Sequence, residues 1–149
     1  MTLVDVNVLI YAFRSESVDH EKYKHWLEGE IESDSAYGLS ELVLAGFLRI
    51  ASHPRILKPP TPFDKAIAFA ESLRDRSNCV IVSPGPRHWE IFINLCRRAG
   101  AKGNLISDAY HAALAIESGS QWITTDRDFA RFPGLHWRHP LDGDGGEAV

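Results

Sequence analysis

Cysteine is scarce in this 149-residue chain, which contains only Cys79 and Cys96. Their spacing matches no zinc-binding pattern, and we expect both thiols to be reduced. The sequence also has no apolar run close to the roughly 18–20 residues that a membrane-spanning helix needs. A basic leader followed by a long apolar segment and a cleavage site is missing as well, which predicts a cytoplasmic protein with no membrane partner.

Basic residues are outnumbered, since 16 Lys and Arg stand against 20 Asp and Glu and the net charge is −4. This balance argues against a protein that coats nucleic acid through bulk electrostatics. It is compatible with a nucleic-acid enzyme whose cations lie locally around an acidic, metal-filled site. The candidate cations for contacting nucleic acid are Arg97, Arg98, Lys102, Arg127 and Arg131. Each of these side chains is equally consistent with ordinary solvated surface.

The length of 149 residues and the hydrophobic content of 44% are typical of one globular domain. We place this domain at residues 1–140, and no internal repeat divides it. Residues 141–149 are too polar and too rich in glycine to pack. They are predicted to form a disordered C-terminal tail.

Short apolar segments alternate with amphipathic ones along the domain. Strands are predicted just before residue 6 and at 36–40, 79–82, 121–124 and 135–137, and helices at 6–13, 19–32, 41–50, 63–76, 88–99 and 104–118. This alternation predicts an α/β fold with three layers, α/β/α, and a short, mainly parallel central sheet. The strand at 79–82 should be buried, Trp89 should face the core, and Asn104 should cap the last helix. Residues 53–62 contain four of the eight prolines and are predicted to be a connecting loop, to which the sequence attaches no function.

Asp5 interrupts an almost unbroken apolar run at residues 3–10. An unpaired carboxylate is costly to bury in such surroundings. The first basic residue of the chain is Arg14, so no local ion pair is available. Asp5 is therefore predicted either to end a strand and cap a helix that begins at Val6, or to belong to a metal or catalytic site.

Three further acids stand beside predicted core segments. Glu41 begins a helix that is apolar almost all round, on a face that includes Leu44, Ala45 and Leu48. Asp108 borders the core stripe of the last helix, three residues before His111, and Asp126 follows the last main strand. Each acid has an ordinary alternative: the helix dipole for Glu41, a hydrogen bond to His111 for Asp108, and a helix cap for Asp126.

The four acids are expected to meet, because the carboxyl ends of parallel strands lie on one edge of a sheet. Carboxylates brought together in this way repel one another unless divalent cations lie between them. Oxygen ligands without a His or Cys cluster favour Mg²⁺ or Mn²⁺ over Zn²⁺. Such a cation activates water and neutralises phosphoryl oxygens, which favours phosphodiester hydrolysis. A nucleophilic Ser or Cys motif and a phosphate-binding Gly-rich loop are both missing.

The segments around these acids resemble the motifs of PIN-domain ribonucleases, specifically the VapC toxins of bacterial type II toxin–antitoxin pairs. The matching segments are Val4–Leu9, Ser40–Leu42, Ser107–Ala115 and Thr124–Phe129. They follow the family's order and spacing from residue 1 to about residue 140, with no departure at the acids. The resemblance implies a PIN-like fold.

The resemblance also implies a role for each acid. The catalytic quartet would be Asp5, Glu41, Asp108 and Asp126. Asp5 and Asp108 would be the main Mg²⁺ or Mn²⁺ ligands, and Glu41, Asp126 and Asp128 are further candidate ligands. Whether Asp126 or Asp128 is the fourth acid stays open. The hydrogen-bonding partners of the acids would be Asn7 and Thr124 or Thr125.

By the same resemblance, the protein would be an endoribonuclease that cuts RNA, often transfer RNA, with metal-activated water. Its partner would be a cognate antitoxin, an extended segment of which lies over the acidic site. A homodimer would be the basic unit of a larger toxin–antitoxin complex. Aromatic candidates for partner contacts are Tyr11, Phe13, Tyr23 and Trp26, of which Tyr11 and Phe13 fit the core equally well.

Two other functions fit part of the sequence. A phosphatase of the haloacid-dehalogenase type also has an Asp after its first strand, but it needs a second acid two residues later, where this chain has Asn7. A non-catalytic PIN-fold binding module would use the same fold only to hold a partner. A titration is expected to separate these functions, because divalent metal that binds the protein and is lost on Asp5→Asn would support the metal site.

Overall fold

The computed structural model describes residues 1–143. Within them lie five strands, β1 (Thr2–Val4), β2 (Tyr37–Leu39), β3 (Cys79–Ile81), β4 (Gln121–Ile123) and β5 (Trp137–Arg138). The helices are α1 (Val6–Phe13), α2 (His20–Glu32), α3 (Glu41–Ala51), α4 (Phe63–Arg74), α5 (His88–Ala99) and α6 (Asn104–Ser118), with a 3-10 helix at Arg127–Arg131. These bounds confirm the predicted alternation of strands and helices. Most of the predicted tail, residues 144–149, lies outside the described residues.

The five strands form one sheet in the order β3–β2–β1–β4–β5, and every neighbouring pair is parallel. Helices flank it, with α5 packed on α6 and α1 in contact with α2 and α3. The predicted three-layer α/β/α fold is therefore confirmed. Because β1 and β4 are neighbours, residues that follow these two strands lie side by side at one edge of the sheet. No helix within the described range is both long and apolar enough to cross a membrane.

The strand β3 corrects one prediction, since it is not buried. It occupies an edge of the sheet with β2 as its neighbour, and its Val80 side chain is 42% exposed. An edge strand is covered less completely than a central one, which a short apolar run cannot indicate. Cys79 on this strand and Cys96 on α5 are both free thiols, as predicted.

The inner face of α5 also differs from the prediction. Trp89 is 67% exposed, whereas His88 is 3% exposed. The Nε2 atom of His88 lies 3.0 Å from the carbonyl oxygen of Tyr110, and the two rings pack edge to face with centroids 4.3 Å apart. A shift of one position turns a helix face by about 100°, so this contact directs Trp89 to solvent.

Two predicted boundaries also change. The residue that caps α6 is Gly103, not Asn104, and its φ of 55° and ψ of −128° suit glycine. At the other end of the domain, Leu141 packs against the core. The carboxylate of Asp142 pairs with Arg127 at 3.1 Å. Contacts with the domain therefore continue past residue 140.

The aromatic residues of the first two helices are used mainly inside the fold. Tyr23 is 7% exposed and its ring lies 5.2 Å from that of Tyr11. Phe13 packs edge to face on Phe47, with ring centroids 5.4 Å apart. Trp26 is half-buried against the core. These contacts support the core alternative for Tyr11 and Phe13 and give Tyr23 a core role too.

Candidate active site

Asp5 stands directly after β1, at the carboxyl edge of the sheet. Its backbone N–H donates to the carbonyl oxygen of Ile123 at 2.9 Å, which fixes it beside the end of β4. One carboxylate oxygen, Oδ1, accepts from the backbone N–H of Val6 at 2.7 Å, so Asp5 caps α1 as one alternative predicted. The side chain is 9% exposed. The cap therefore accounts for only one of two buried carboxylate oxygens.

The second oxygen of Asp5, Oδ2, belongs to a hydrogen-bond network that joins β1 to β4. It accepts from the Thr124 hydroxyl at 2.7 Å and from the Asn7 side-chain amide at 3.2 Å. Asn7 in turn accepts through Oδ1 from the backbone N–H of Thr125 at 3.2 Å. The network contains all three residues that the sequence predicts as partners of the acids, with Thr125 contributing its backbone.

Burial raises the pKa of Asp5 to about 6, because desolvation penalises the charged form. The hydrogen bonds from Thr124 and Val6 act in the opposite direction, and the nearby charges of Asp108 and Asp126 raise the pKa further. Desolvation thus outweighs the hydrogen bonds. A buried carboxyl with other acids close by is the environment in which a cation is stabilising.

Asp108 projects toward this site from α6. Burial raises its pKa, and the charges of Asp126 and Asp128 raise it further. Asp108 and His111 do not act as a pair, because His111 turns inward and stacks on Trp122 with ring centroids 5.4 Å apart. Burial lowers the pKa of His111 to about 4, so its imidazole is neutral near pH 7.

Asp126 reaches the site from the segment after β4. Its backbone N–H donates to the Thr124 hydroxyl oxygen at 3.0 Å. Its Oδ1 accepts from the backbone N–H of Asp128 at 2.9 Å and thereby caps the 3-10 helix, as the structural alternative predicted. Asp126 lines the cavity between the acids, whereas the exposed Asp128 acts on Asp108 only through its charge. The geometry thus favours Asp126 as the acid that shares the site with Asp5 and Asp108.

The cavity between these acids has a volume of about 400 Å³. Its polar wall consists of Asp5, Asn7, Asp108 and Asp126. Its apolar wall consists of Val6, Ile10, Tyr11, Ile50, Ile56, Leu57 and Phe129. Sequence reasoning missed Ile56 and Leu57, which lie in the proline-rich loop 53–62, because no local pattern shows which surface a loop packs on.

Glu41 is the one member of the predicted quartet that lies apart from this cavity. The core face of α3 consists of Val43, Leu44, Phe47 and Ala51, whereas Ala45 is exposed. Glu41 therefore points to the surface, and its Oε2 lies 3.2 Å from Nη2 of Arg74 on α4. The expectation that Glu41 faces the core is wrong, because the helix is rotated relative to the face assumed from its sequence.

The predicted RNA-binding cations are all exposed, and none of them lines the cavity. Arg97 and Arg98 lie in the last turn of α5, where cations are favourable next to the helix C-terminus. Arg127 pairs with Asp142. These positions leave the ordinary surface alternative in place for all five.

The donor set is consistent with Mg²⁺ or Mn²⁺, although no three metal-ligating side chains within residues 1–143 form a preassembled cluster. Mg²⁺ commonly keeps several waters and is held by one or two carboxylates. Asp5 and Asp108 provide two carboxylates that each have a raised pKa. Their charges are therefore incompletely compensated by the protein, which fits a cation between them.

Comparison with known proteins places this chain in a family. A model of the PIN domain matches residues 2–135, and the chain therefore belongs to the PIN-domain family. Two similar proteins carry the name VapC. A VapC ribonuclease of Mycobacterium bovis is 42% identical over 143 residues, which are 96% of this chain and 97% of that protein. Ribonuclease VapC25 of Mycobacterium tuberculosis is 38% identical over 95% of this chain and 100% of its own length.

Solved structures support the same fold. The chain resembles a chain of VapBC-1 from nontypeable Haemophilus influenzae with a TM-score of 0.66 and 19% identity, covering 95% of this chain and 98% of that one. It resembles a chain of VapBC2 from Rickettsia felis, solved with a promoter DNA fragment, with a TM-score of 0.65 and 18% identity over 92% and 96% of the two chains. At such identities the likeness concerns the fold.

Proposed function

We propose that this chain is an endoribonuclease that acts as the toxin of a toxin–antitoxin pair and depends on Mg²⁺ or Mn²⁺. The full-length similarity to proteins named VapC ribonucleases supports the activity. Structural neighbours that are toxin–antitoxin complexes support the partner. The observation that carries the chemistry is the convergence of Asp5, Asp108 and Asp126 on one cavity, where the pKa values of Asp5 and Asp108 are both raised.

The cation would be held by Asp5 and Asp108, with Asp126 completing the site. When bound, a divalent cation supplies an activated water nucleophile and neutralises charge that develops on the phosphoryl group. Glu41 would join only if its side chain left Arg74, from which it is separated by 3.2 Å. The salt bridge is exposed and hence weak, so breaking it costs about 1 kcal/mol or less.

The protein's own contribution is a fixed carboxylate at the centre of the site. Asp5 is held through Oδ1 by Val6 and through Oδ2 by Thr124 and Asn7. These donors keep its oxygens in place and favour the ionised form that a cation needs. The apolar wall opposite limits the water around the reacting phosphate, which strengthens the electrostatic interactions inside the cavity.

For the homodimer, the supporting surface is a groove of about 570 Å³ between α3 and α6. Two of its apolar side chains are substantially exposed, Leu42 at 52% and Ile106 at 43%. Phe92 and Tyr110 line the same groove. We propose that a second copy of the chain covers this surface, because exposed apolar patches of this kind are commonly buried in protein interfaces.

End-mapping of RNA tests the reaction. The wild type with Mn²⁺ should leave 5′-phosphate and 3′-OH ends, because water attacks rather than the neighbouring 2′-OH, and EDTA should stop cleavage. Asp108→Asn should abolish cleavage and the rise in melting temperature that Mn²⁺ causes in the wild type. Without metal it should be about 2–4 °C more stable, as expected when removal of a repelling charge contributes about 1 kcal/mol.

The matched control is Asp34→Asn, an equally conservative change at an exposed position before β2, on the amino edge of the sheet. It should behave as the wild type in every assay. Cyclic phosphate ends, cleavage in EDTA or an active Asp108→Asn variant would overturn the proposed mechanism. Metal binding without any RNA cleavage would favour the non-catalytic module instead. Membership of the PIN-domain family already sets the phosphatase alternative aside.

A further inference from the structure

The loop at residues 53–62 forms one wall of the cavity that contains the acids. Ile56 is 52% exposed and Leu57 is half-buried, and both line this cavity together with Asp5 and Asp108. About half of the apolar surface of Ile56 stays in water beside a group of carboxylates, so the fold leaves this surface uncovered. Its position suggests that it contacts something that enters the cavity.

The loop is held in place by specific hydrogen bonds. The carbonyl oxygen of His53 accepts from the backbone N–H groups of Ile56 at 3.2 Å and of Leu57 at 3.0 Å. The far end of the loop is joined back to α3, since the N–H of Thr61 donates to the carbonyl oxygen of Ala51 at 2.7 Å.

A buried arginine directly after α1 adds to this support. Arg14 is 8% exposed, and its Nη1 donates to the Thr61 hydroxyl at 2.9 Å. The guanidinium also pairs with Glu16. The positive charge of Arg14 is therefore compensated by Glu16, in the segment between α1 and α2, and does not point into the cavity. Arg14 acts as a positioning residue, and the apolar wall is presented in a defined place rather than as a loose segment.

The two walls of the cavity suit two parts of one nucleotide. The acids, once charge-compensated, suit a phosphate, whereas the opposite wall offers the flat face of a base only apolar contacts and the Tyr11 ring. The volume of about 400 Å³ is near the lower end of the roughly 300–1,000 Å³ of small-molecule sites. A space of this size matches a single nucleotide.

We infer that Ile56 and Leu57 determine specificity by contacting the base next to the cleaved phosphate. The inference rests on the proposed ribonuclease function and assigns the base-contacting wall to the proline-rich loop. Neither side chain can ionise or ligate a metal. Changing them should therefore alter which nucleotide is accepted while the chemistry and the metal site stay the same.

The test uses a pool of RNA oligonucleotides with a randomised unpaired segment, cut in Mn²⁺ and sequenced at the new ends. Ile56→Ala and Leu57→Ala should change the nucleotide frequencies beside the cut and raise KM several-fold. The rise in melting temperature caused by Mn²⁺ should equal that of the wild type in both variants. The control is Val18→Ala, which shortens an 83% exposed apolar side chain in the loop between α1 and α2, and it should leave all three measurements unchanged.

The results that differ from these expectations distinguish failure of the inference from failure of the proposed function. A cut-site profile that both variants share with the wild type overturns the inference and leaves the ribonuclease proposal standing. An altered response to Mn²⁺ also overturns it, because the wall would then act through the metal site. Unchanged cleavage with weakened inhibition by the antitoxin would assign the wall to the protein partner instead. A wild-type protein that cuts no RNA in the pool would overturn the proposed function and the inference together.

Discussion

At the scale of single residues, the surroundings of Asp5 act on its pKa in opposite directions. Burial and the charges of Asp108 and Asp126 disfavour its ionised form, whereas hydrogen bonds from Thr124 and Val6 favour it. The balance leaves its pKa at about 6 instead of the ordinary 3.8. The fold therefore loses stability when Asp5 ionises without a cation, and stored electrostatic repulsion of this kind is released when a cation binds.

This balance predicts how Asp5→Asn responds to pH in the absence of metal. Between pH 3.8 and about 6 the folded wild type keeps a proton on Asp5 that the unfolded chain has lost. Its free energy of unfolding therefore falls as the pH rises through this range, by up to about 3 kcal/mol from this group. The variant lacks this loss, so its stability relative to the wild type should increase from pH 4 to pH 6.5 and then stay level.

The comparison with the wild type is essential here because His111 acts with the opposite sign. Its pKa is lowered from 6.5 to about 4, so the unfolded chain binds the extra proton and stability rises with pH over much of the same range. The two effects oppose each other in the total profile, but the His111 contribution cancels in the difference between variant and wild type. Denaturant unfolding in EDTA at several pH values measures the difference in free energy of unfolding between Asp5→Asn and the wild type. A difference that does not change with pH would refute the raised pKa of Asp5.

At the scale of elements, the rotation of α3 decides the place of Glu41. The first turn of α3 lies next to α4, and the salt bridge from Glu41 to Arg74 links the two helices. Both side chains are exposed, at 62% for Glu41 and 45% for Arg74. Such a pair contributes little to stability. Variants of Glu41 can therefore separate its salt bridge with Arg74 from a role at the metal site.

We predict that Glu41→Gln and Arg74→Gln each change the free energy of unfolding by less than about 1 kcal/mol. If Glu41 turns into the site when metal is bound, Glu41→Gln should lower cleavage by about 10–100-fold, the usual loss for a supporting contact at a metal site. Arg74→Gln should keep full activity, because it only releases Glu41. Full activity in Glu41→Gln would exclude Glu41 from the catalytic group.

The groove between α3 and α6 leads to a second prediction at this scale. Leu42→Glu places a charge on the proposed contact between copies and should shift the protein from dimer to monomer in sedimentation experiments. Phe63→Glu is the matched control, since Phe63 is 58% exposed at the start of α4 and does not line this groove. An unchanged dimer in Leu42→Glu, or a monomeric wild type, would contradict the proposal.

At the scale of the whole molecule, charge is distributed in an unusual way for an RNA enzyme. The net charge is −4, the cavity wall is acidic, and the five predicted RNA-binding cations are exposed outside the cavity. If the proposed function holds, RNA would be held by a small number of phosphate contacts together with the cation and the apolar wall. Binding of this kind depends less on salt than binding by a strongly basic surface.

We predict a shallow salt dependence for RNA binding. A protein with about 6–10 phosphate contacts to single-stranded RNA should show a slope of roughly −4 to −7 when log affinity is plotted against log salt. We expect a slope of roughly −1 to −3 here, measured with Asp108→Asn to prevent cleavage. Replacing Arg97 or Arg98 with Gln should reduce the slope only if that side chain contacts phosphate. A slope as steep as that of a strongly basic protein would contradict the prediction of few phosphate contacts.

The sequence by itself determined the order of the elements and the position of the acids within them. Periodicity and capping are local properties, so strands, helices and the places of Asp5, Asp108 and Asp126 follow from neighbouring residues. The parallel sheet then brings Asp5 and Asp126 together, because β1 and β4 end side by side, and Asp108 reaches the same cavity from α6.

Only the tertiary structure decided which side chains complete the site. The rotation of α3 turns Glu41 away from the acids and toward Arg74, 33 residues along the sequence, and Thr124 fixes Asp5 across 119 residues. The place of the proline-rich loop over the cavity depends on Thr61 meeting Arg14, 47 residues away. Contacts between such distant residues depend on how helices rotate and pack on the sheet, and local sequence patterns carry no information about that rotation.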